Sequence, residues 1–318
     1  MAINELSLLI LIPLIAAVVN IFLPVILRKT LTILAVIYLL FINYHLFLIK
    51  TTEAYLFNTI IFSLDQLSFF ILTFIQVLSS IILIFSLKGV KDNIQKSFFV
   101  LYPMTIAFCN GVVVSVNSIS LILFWGLTGI TLYLFAVLGS TKDAPDTAKK
   151  TMVIVGGSDV FLILGLILIW FIKYETNWLF WNANIPLSSG LAYIAFFSIL
   201  IAAFAKAGAF PLHSWVPDFA KDAPVESAAF LPAALDKLLG IYLFARITLS
   251  IFKLSSLIYL LLITIGALTI ITGVMMAMIQ HNGRKLLGYH AVSQVGYDHG
   301  SWQRQHSGNH RRSVSHDQ

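Results

Sequence analysis

The sequence predicts an all-α, polytopic bundle of transmembrane helices, about nine of them complete, with the start of a tenth and a break in the seventh. Three observations predict it. Of 318 residues, 59% are apolar and only 11% charged, with a mean hydropathy of +0.92; soluble domains carry about 25% charged residues. The apolar residues fall in continuous runs about 20 long, the length at which a helix crosses a hydrocarbon core about 30 Å thick. The basic residues gather in alternate loops. This composition excludes a water-soluble enzyme, a disordered chain and a collagen-like rod. A net charge of +6 and a pI near 9.3 would suggest nucleic acid in a soluble protein. In a membrane protein they reflect basic loops, so the expected partner surface is a lipid bilayer and no nucleic acid.

The runs fall near 5–27, 31–49, 66–87, 98–116, 118–139, 151–172, 190–209, 225–246 and 257–279, and a tenth begins at Lys285. With no water in the bilayer core, each run must satisfy its backbone groups internally, which only a helix does. Barrel strands alternate over about 10 residues instead. The first run has no basic n-region, is too long for a signal h-region and is followed by Arg28 and Lys29, so it reads as a span. The loops after odd-numbered runs hold Arg28, Lys29, Lys88, Lys91, Lys96, Lys142, Lys149, Lys150, Lys221, Arg284 and Lys285. The opposite set holds Lys50, Lys173, Arg246 and Lys253. By the positive-inside rule, the N-terminus lies outside a cell membrane and the odd-numbered loops lie in the cytoplasm. Cys109 is the one cysteine, so no intrachain disulfide forms.

Two lysines remain inside apolar runs. A lysine near the bilayer centre costs about 2.5–3.5 kcal/mol on insertion scales. It is tolerated when it faces the bundle interior, finds a partner or gives up its proton. Lys206 lies about four residues before Pro211, and Lys237 lies mid-run in AAFLPAALDKLLGIYLFA. Each either snorkels to an interface or takes up and releases a proton inside the membrane. Asp159, in TMVIVGGSDVFLILGLILIW, is the matching acid: a structural hydrogen-bonding group near a helix start, or the charge partner of Lys206. Asp236 directly precedes Lys237, and consecutive helical residues point about 100° apart, so these two do not face each other.

Between the lysines runs GAFPLHSWVPDFAKDAPVESAAF. Pro211, Pro217 and Pro224 cannot continue one straight helix. A break at membrane depth is tolerated where backbone lines a cavity or is buried, and such breaks mark ion sites in transporters. His213 is either a proton relay at neutral pH or a satisfied structural histidine.

These residues carry a resemblance. AFAKAGAFPLHSWVPDFAKDAPVESAAFLPAALDKLLGIYLFARI and RKLLGYHAVSQVGY at 284–297 resemble the antiporter-like subunits of respiratory complex I. That family also takes in Mrp-type cation/proton antiporters and membrane-bound group 4 NiFe hydrogenases, and the resemblance covers most of 60–297. FPLHSWVPD and YHAVSQVGY stand closer in detail to the hydrogenase type. The resemblance implies a proton path through a mid-membrane row of ionisable residues. Lys206 falls on the family's lysine of the broken seventh helix, Lys237 on that of the eighth, and His290 within a second half-path. It implies partners among the membrane subunits of a respiratory or hydrogenase complex, with protons, or else sodium, as the ion moved. No flavin, iron–sulfur or nickel motif is visible, so no cofactor is expected and redox chemistry falls to partner subunits.

One departure stands out. The family carries a glutamate on helix 5 that pairs with the seventh-helix lysine. This chain reads LILFWGLTGITLYLFAVLGS, with Gly126 at that place, so Asp159 is expected to substitute and to lie within reach of Lys206, directly or through water. Three functions are open on these residues. The first is a proton-translocating subunit of an energy-converting redox complex. The second is an Mrp-type antiporter subunit, and the third a non-conducting remnant or scaffold.

The composition changes at 298–318, DHGSWQRQHSGNHRRSVSHDQ, which lacks Leu, Ile, Phe, Met and Ala and holds four of the eight histidines. A metal site or a tag would fit, but a shifted reading frame fits better, because permitted codons read in another frame give an apolar, glycine-rich continuation. The expected organisation is therefore an incomplete membrane domain at 1–297 and an out-of-frame, disordered tail at 298–318, with the later helices of the family absent.

Overall fold

The computed structural model describes residues 5–49, 53–56, 59–173, 181 and 183–296; the tail at 298–318 lies outside them. Among the described residues, nine helices are long and apolar enough to cross a membrane. They are α1 (Glu5–Phe22), α2 (Val25–Ile49), α3 (Gln66–Gly89), α4 (Asp92–Val114), α5 (Ser118–Val137) and α6 (Ala144–Lys173). After them come α7 (Gly190–Ala207) and α8 (Trp215–Asp222), the two halves of one interrupted span, then α9 (Val225–Ile251) and α10 (Ser256–Met278). A further helix, α11, covers 283–296. Among the described residues there are also two short β pairings and an isolated bridge between Phe62 and Ser115. The hairpin β1 (Glu53–Leu56) and β2 (Thr59–Ser63) lies between α2 and α3, and Ile185–Pro186 pairs in parallel with Phe252–Lys253. The hairpin falls between apolar runs, where hydropathy carries no signal.

Helix α4 starts at Asp92, ahead of its apolar run, without a side-chain cap, whereas α5 starts where its run does. The Asn117 side chain accepts from the Ile119 N–H at the start of α5, as an N-cap does. α4 is the most enclosed span, packed against α1, α2, α3 and α5. Tyr102 of α4 stacks on Phe230 of α9 with ring centroids 4.0 Å apart, and Phe98 and Phe135 meet edge-on beside them. α7 is held between α6 and α9. The outward faces are apolar: Leu257, Leu260, Ile271 and Met275 of α10, for example, are exposed. Burial of apolar surface cannot orient such a helix in lipid, so the polar residues it turns inward do.

The seventh span breaks where the prolines predict. α7 ends at Gly208, whose φ of +76° is left-handed and is reached by glycine without steric cost. A cis peptide joins Phe210 to Pro211, and one short turn, Leu212–Ser214, leads into α8. Pro217 sits in the first turn of α8 and Pro224 just before α9, positions where a missing N–H costs little. Groups freed by the break find partners. The Trp215 indole donates to the Ala205 carbonyl at 2.9 Å, and Thr269 of α10 accepts from the Phe210 N–H at 3.3 Å.

The structure corrects the placing of one basic residue. Arg246 is not a loop cation: it lies inside α9 and is buried, because α9 continues to Ile251. Its guanidinium makes two hydrogen bonds to Asp65, of 2.5 and 2.6 Å, and a third to Ser68 Oγ at 2.7 Å. It also lies over the rings of Trp181 and Tyr242. A paired arginine belongs inside a helix bundle, where its charge no longer marks the end of a span.

A buried lysine between two aspartates

Lys206 occupies the last turn of α7 and its side chain is fully buried. The carbonyl end of a helix carries partial negative charge, which favours a cation there. The ammonium meets three groups from two neighbouring helices. It donates to Thr128 Oγ1 at 2.5 Å, stands 3.3 Å from Asp236 Oδ1, and lies 5.0 Å from the centroid of the Trp125 ring. Trp125 and Thr128 are three residues apart on α5 and so share a face. Asp236 of α9 is also fully buried, and neither of its oxygens accepts a hydrogen bond among the described residues. Sixteen residues separate Lys206 from Gly190, and eleven separate Asp236 from Val225. At 1.5 Å per residue those are about 24 and about 16 Å of helix, so the pair lies well inside the bundle.

Asp159 of α6 is half-buried and accepts from the Trp125 indole N–H at 2.8 Å. The groups therefore run in order: Asp159, the Trp125 ring, Lys206, Asp236. The direct charge partner of Lys206 is Asp236, not Asp159 as the sequence suggested. The end of α7 packs against α9, and the Trp125 indole touches both Lys206 and Asp159. At Gly126 an added Cβ would meet nothing within 4 Å, so helix 5 supplies an indole and a hydroxyl to the lysine and no carboxylate.

The structure does not bring every candidate to this point. Lys237 is half-buried on the neighbouring face of α9. The His213 ring lies beyond the break, against Phe210 and Tyr289. His290 of α11 is exposed. Trp125 and Thr128 were missed by sequence reasoning, because a tryptophan or threonine in an apolar run carries no mark of what it faces.

Two flanking networks hold the helices that carry these groups. At one end, Asp218 of α8 bridges Lys150 of α6 and Lys285 of α11, at 2.7 and 3.1 Å. Asp222 accepts from Thr141 and Thr147, and Lys221 pairs with Asp143. At the other end stands the Arg246 cluster, in which Tyr242 donates to the Val113 carbonyl at 2.8 Å and Trp181 to that of Ser115 at 2.7 Å. No group of three or more His, Cys, Asp or Glu able to hold a metal is found among the described residues.

A helix bundle with one span broken beside a buried lysine–carboxylate pair defines a class of multi-pass membrane protein. The family described as NADH:quinone oxidoreductase/Mrp antiporter, transmembrane, matches residues 115–298, and the chain belongs to it. The chloroplastic NAD(P)H-quinone oxidoreductase subunit 5 of Oryza sativa is 30% identical over 246 residues, which cover 74% of this chain and 33% of the relative. The chain thus spans about a third of the length of the curated relatives it matches. Among solved structures, a chain of the Mrp complex from a Dietzia species superposes with a TM-score of 0.83 at 19% identity, covering 95% of this chain and 59% of that one. A chain of an archaeal membrane-bound sulfane sulfur reductase and one of Thermus thermophilus respiratory complex I each give 0.76, at 21% and 17% identity, covering 92% of this chain and 63% of theirs. These likenesses establish the fold.

Proposed function

We propose that this chain is a proton-translocating, antiporter-like subunit of an energy-converting redox complex of the group 4 hydrogenase or NADH:quinone oxidoreductase type. The observation that carries the reading is the Lys206–Asp236 pair, fully buried at 3.3 Å beside a break in the span. A buried ammonium is held by its partners, and any change in those partners changes how tightly it keeps its proton. Lys206 is the group that holds and releases the proton, Asp236 its counter-charge and Asp159 a second acid on the same row. Lys237, His213 and His290 lie on the approaches. The ion is a proton, with sodium as the competing ion.

Partner subunits of the complex would supply the redox chemistry and meet the chain in a cell membrane, with its N-terminus outside and its odd-numbered loops in the cytoplasm. Proteoliposomes holding the chain with its co-purifying subunits, loaded with a pH-sensitive dye, test the reading. Proton flux is expected to fall at least tenfold in Lys206→Ala, and the co-purifying subunits are expected to include a cysteine-rich redox protein. Undiminished flux in that variant contradicts the assignment. Flux that depends on Lys206 without any redox partner supports the Mrp-type alternative.

A further inference from the structure

We propose that Trp125 is a positioning residue that transmits the charge of Asp159 to Lys206, so that the two aspartates act on one lysine, Asp236 by contact and Asp159 through the indole. The inference rests on the reading of Lys206 as the proton-carrying group. Four observations carry it. Trp125 is 1% exposed, so no bulk water screens its ring. Its N–H, the one polar hydrogen of the side chain, is committed to Asp159 Oδ1 at 2.8 Å. The Lys206 ammonium stands 5.0 Å from the ring centroid, inside the range of a cation–π contact. The Asp159 carboxylate itself stands beside α5 at Gly129, where an added Cβ would lie 3.7 Å from its Oδ2, so the acid is held at the helix that carries the indole.

An indole placed this way responds to the acid. An ionised carboxylate on the N–H draws the hydrogen and raises the electron density of the ring face, which strengthens its hold on a cation. A neutral acid does so less. The tryptophan thus converts protonation at Asp159 into a change in the field at Lys206 without a proton or a water passing between them. The other groups around the lysine are Thr128 of α5 and Asp236 of α9. Cys109 of α4 is close enough to interact with both charges of the pair. None of these is hydrogen-bonded to Asp159, which also feels the charges of Lys206 and Asp236 through space; the indole is the group that touches both the acid and the lysine.

The test is a double-mutant cycle in proteoliposomes: wild type, Trp125→Phe, Asp159→Asn and the double variant. Phenylalanine keeps a buried aromatic face but has no N–H; Trp125→Leu, which removes the face as well, serves as a second perturbation. The first readout is the pH midpoint of proton flux. The second, independent of flux, is the pH midpoint at which the carboxyl infrared band of Asp236 titrates, identified by its loss in Asp236→Asn. Asp159→Asn is expected to shift both midpoints by about one pH unit when Trp125 is present, and by less than half of that in the Trp125→Phe background. An equal shift in both backgrounds overturns the proposal, because Asp159 then acts without the indole. A tryptophan that merely fills space would lower protein yield and melting temperature but leave the two shifts additive, which also overturns it. If wild-type vesicles carry no flux, the function proposed above fails, and the infrared cycle still decides the role of Trp125.

Discussion

Lys206 and Asp236 are each costly alone and tolerable together. Removing one member of a buried pair leaves an uncompensated charge and typically costs about 3–5 kcal/mol, whereas replacing both by apolar groups is often neutral. Asp236→Ala is therefore expected to destabilise the chain by about that much in a denaturant titration in detergent. Lys206→Met combined with Asp236→Leu is expected to recover most of the loss while carrying no proton. A stable Asp236→Ala single variant would show that the pair is not buried as a pair. At this scale the sequence was half legible. An unexplained charge in an apolar run announces itself, so Lys206, Lys237 and Asp159 stood out, with Asp236 noted only beside Lys237. Their pairing did not, because the partner is chosen by interhelical contact. Asp236 beside Lys237 in the chain turns out to face Lys206 across a helix boundary.

The helices were legible as lengths of apolar residues, and the break in the seventh span as a proline cluster. The π-helical turns were not. One covers Met152–Gly156, three residues before Asp159, and another covers Leu231–Leu235, directly before Asp236. Such turns shift the register of the residues after them and recur at functional sites, but no residue type encodes them. The ends of helices also couple to one another. Asp65 caps α3 by accepting from the Ser68 N–H at 2.8 Å and pairs with Arg246 of α9. Its partial burial pushes the carboxyl up, but the hydrogen bonds and charge of Arg246 and the bonds from Ser68 outweigh this and hold it below its ordinary 3.8. A carboxyl lowered on folding adds stability above its unfolded-state value and loses it as pH falls through the folded value. Asp65→Asn is therefore expected to be less stable than wild type near neutral pH, with the gap closing as pH drops below 3.8. Melting curves across pH 2–7 read this directly; a gap that does not narrow below pH 3.8 would mean Asp65 acts through shape and not charge.

At the scale of the molecule, the bundle reads as a membrane protein because its long helices are apolar on their outward faces as well as inside. Hydropathy therefore says which segments span but not which face turns inward. The alternate loading of loops with lysine and arginine is the sequence's signal for orientation, and moving Arg246 out of the less basic set strengthens that asymmetry. Lys142 and Lys253 are exposed on opposite sides of the predicted topology, and the single native cysteine, Cys109, is buried and protected from aqueous reagents. In intact cells, a membrane-impermeant maleimide is expected to label Lys253→Cys and not Lys142→Cys, with the reverse pattern in inverted vesicles. The central claim, that the buried Lys206–Asp236 pair carries protons through this bundle, is tested most directly by dye-reported proton flux in proteoliposomes of wild type and Asp236→Asn. The vesicles would be reconstituted at equal protein density, after size-exclusion chromatography shows both to be folded. At least a tenfold loss of flux in Asp236→Asn is predicted; flux equal to wild type would contradict the account.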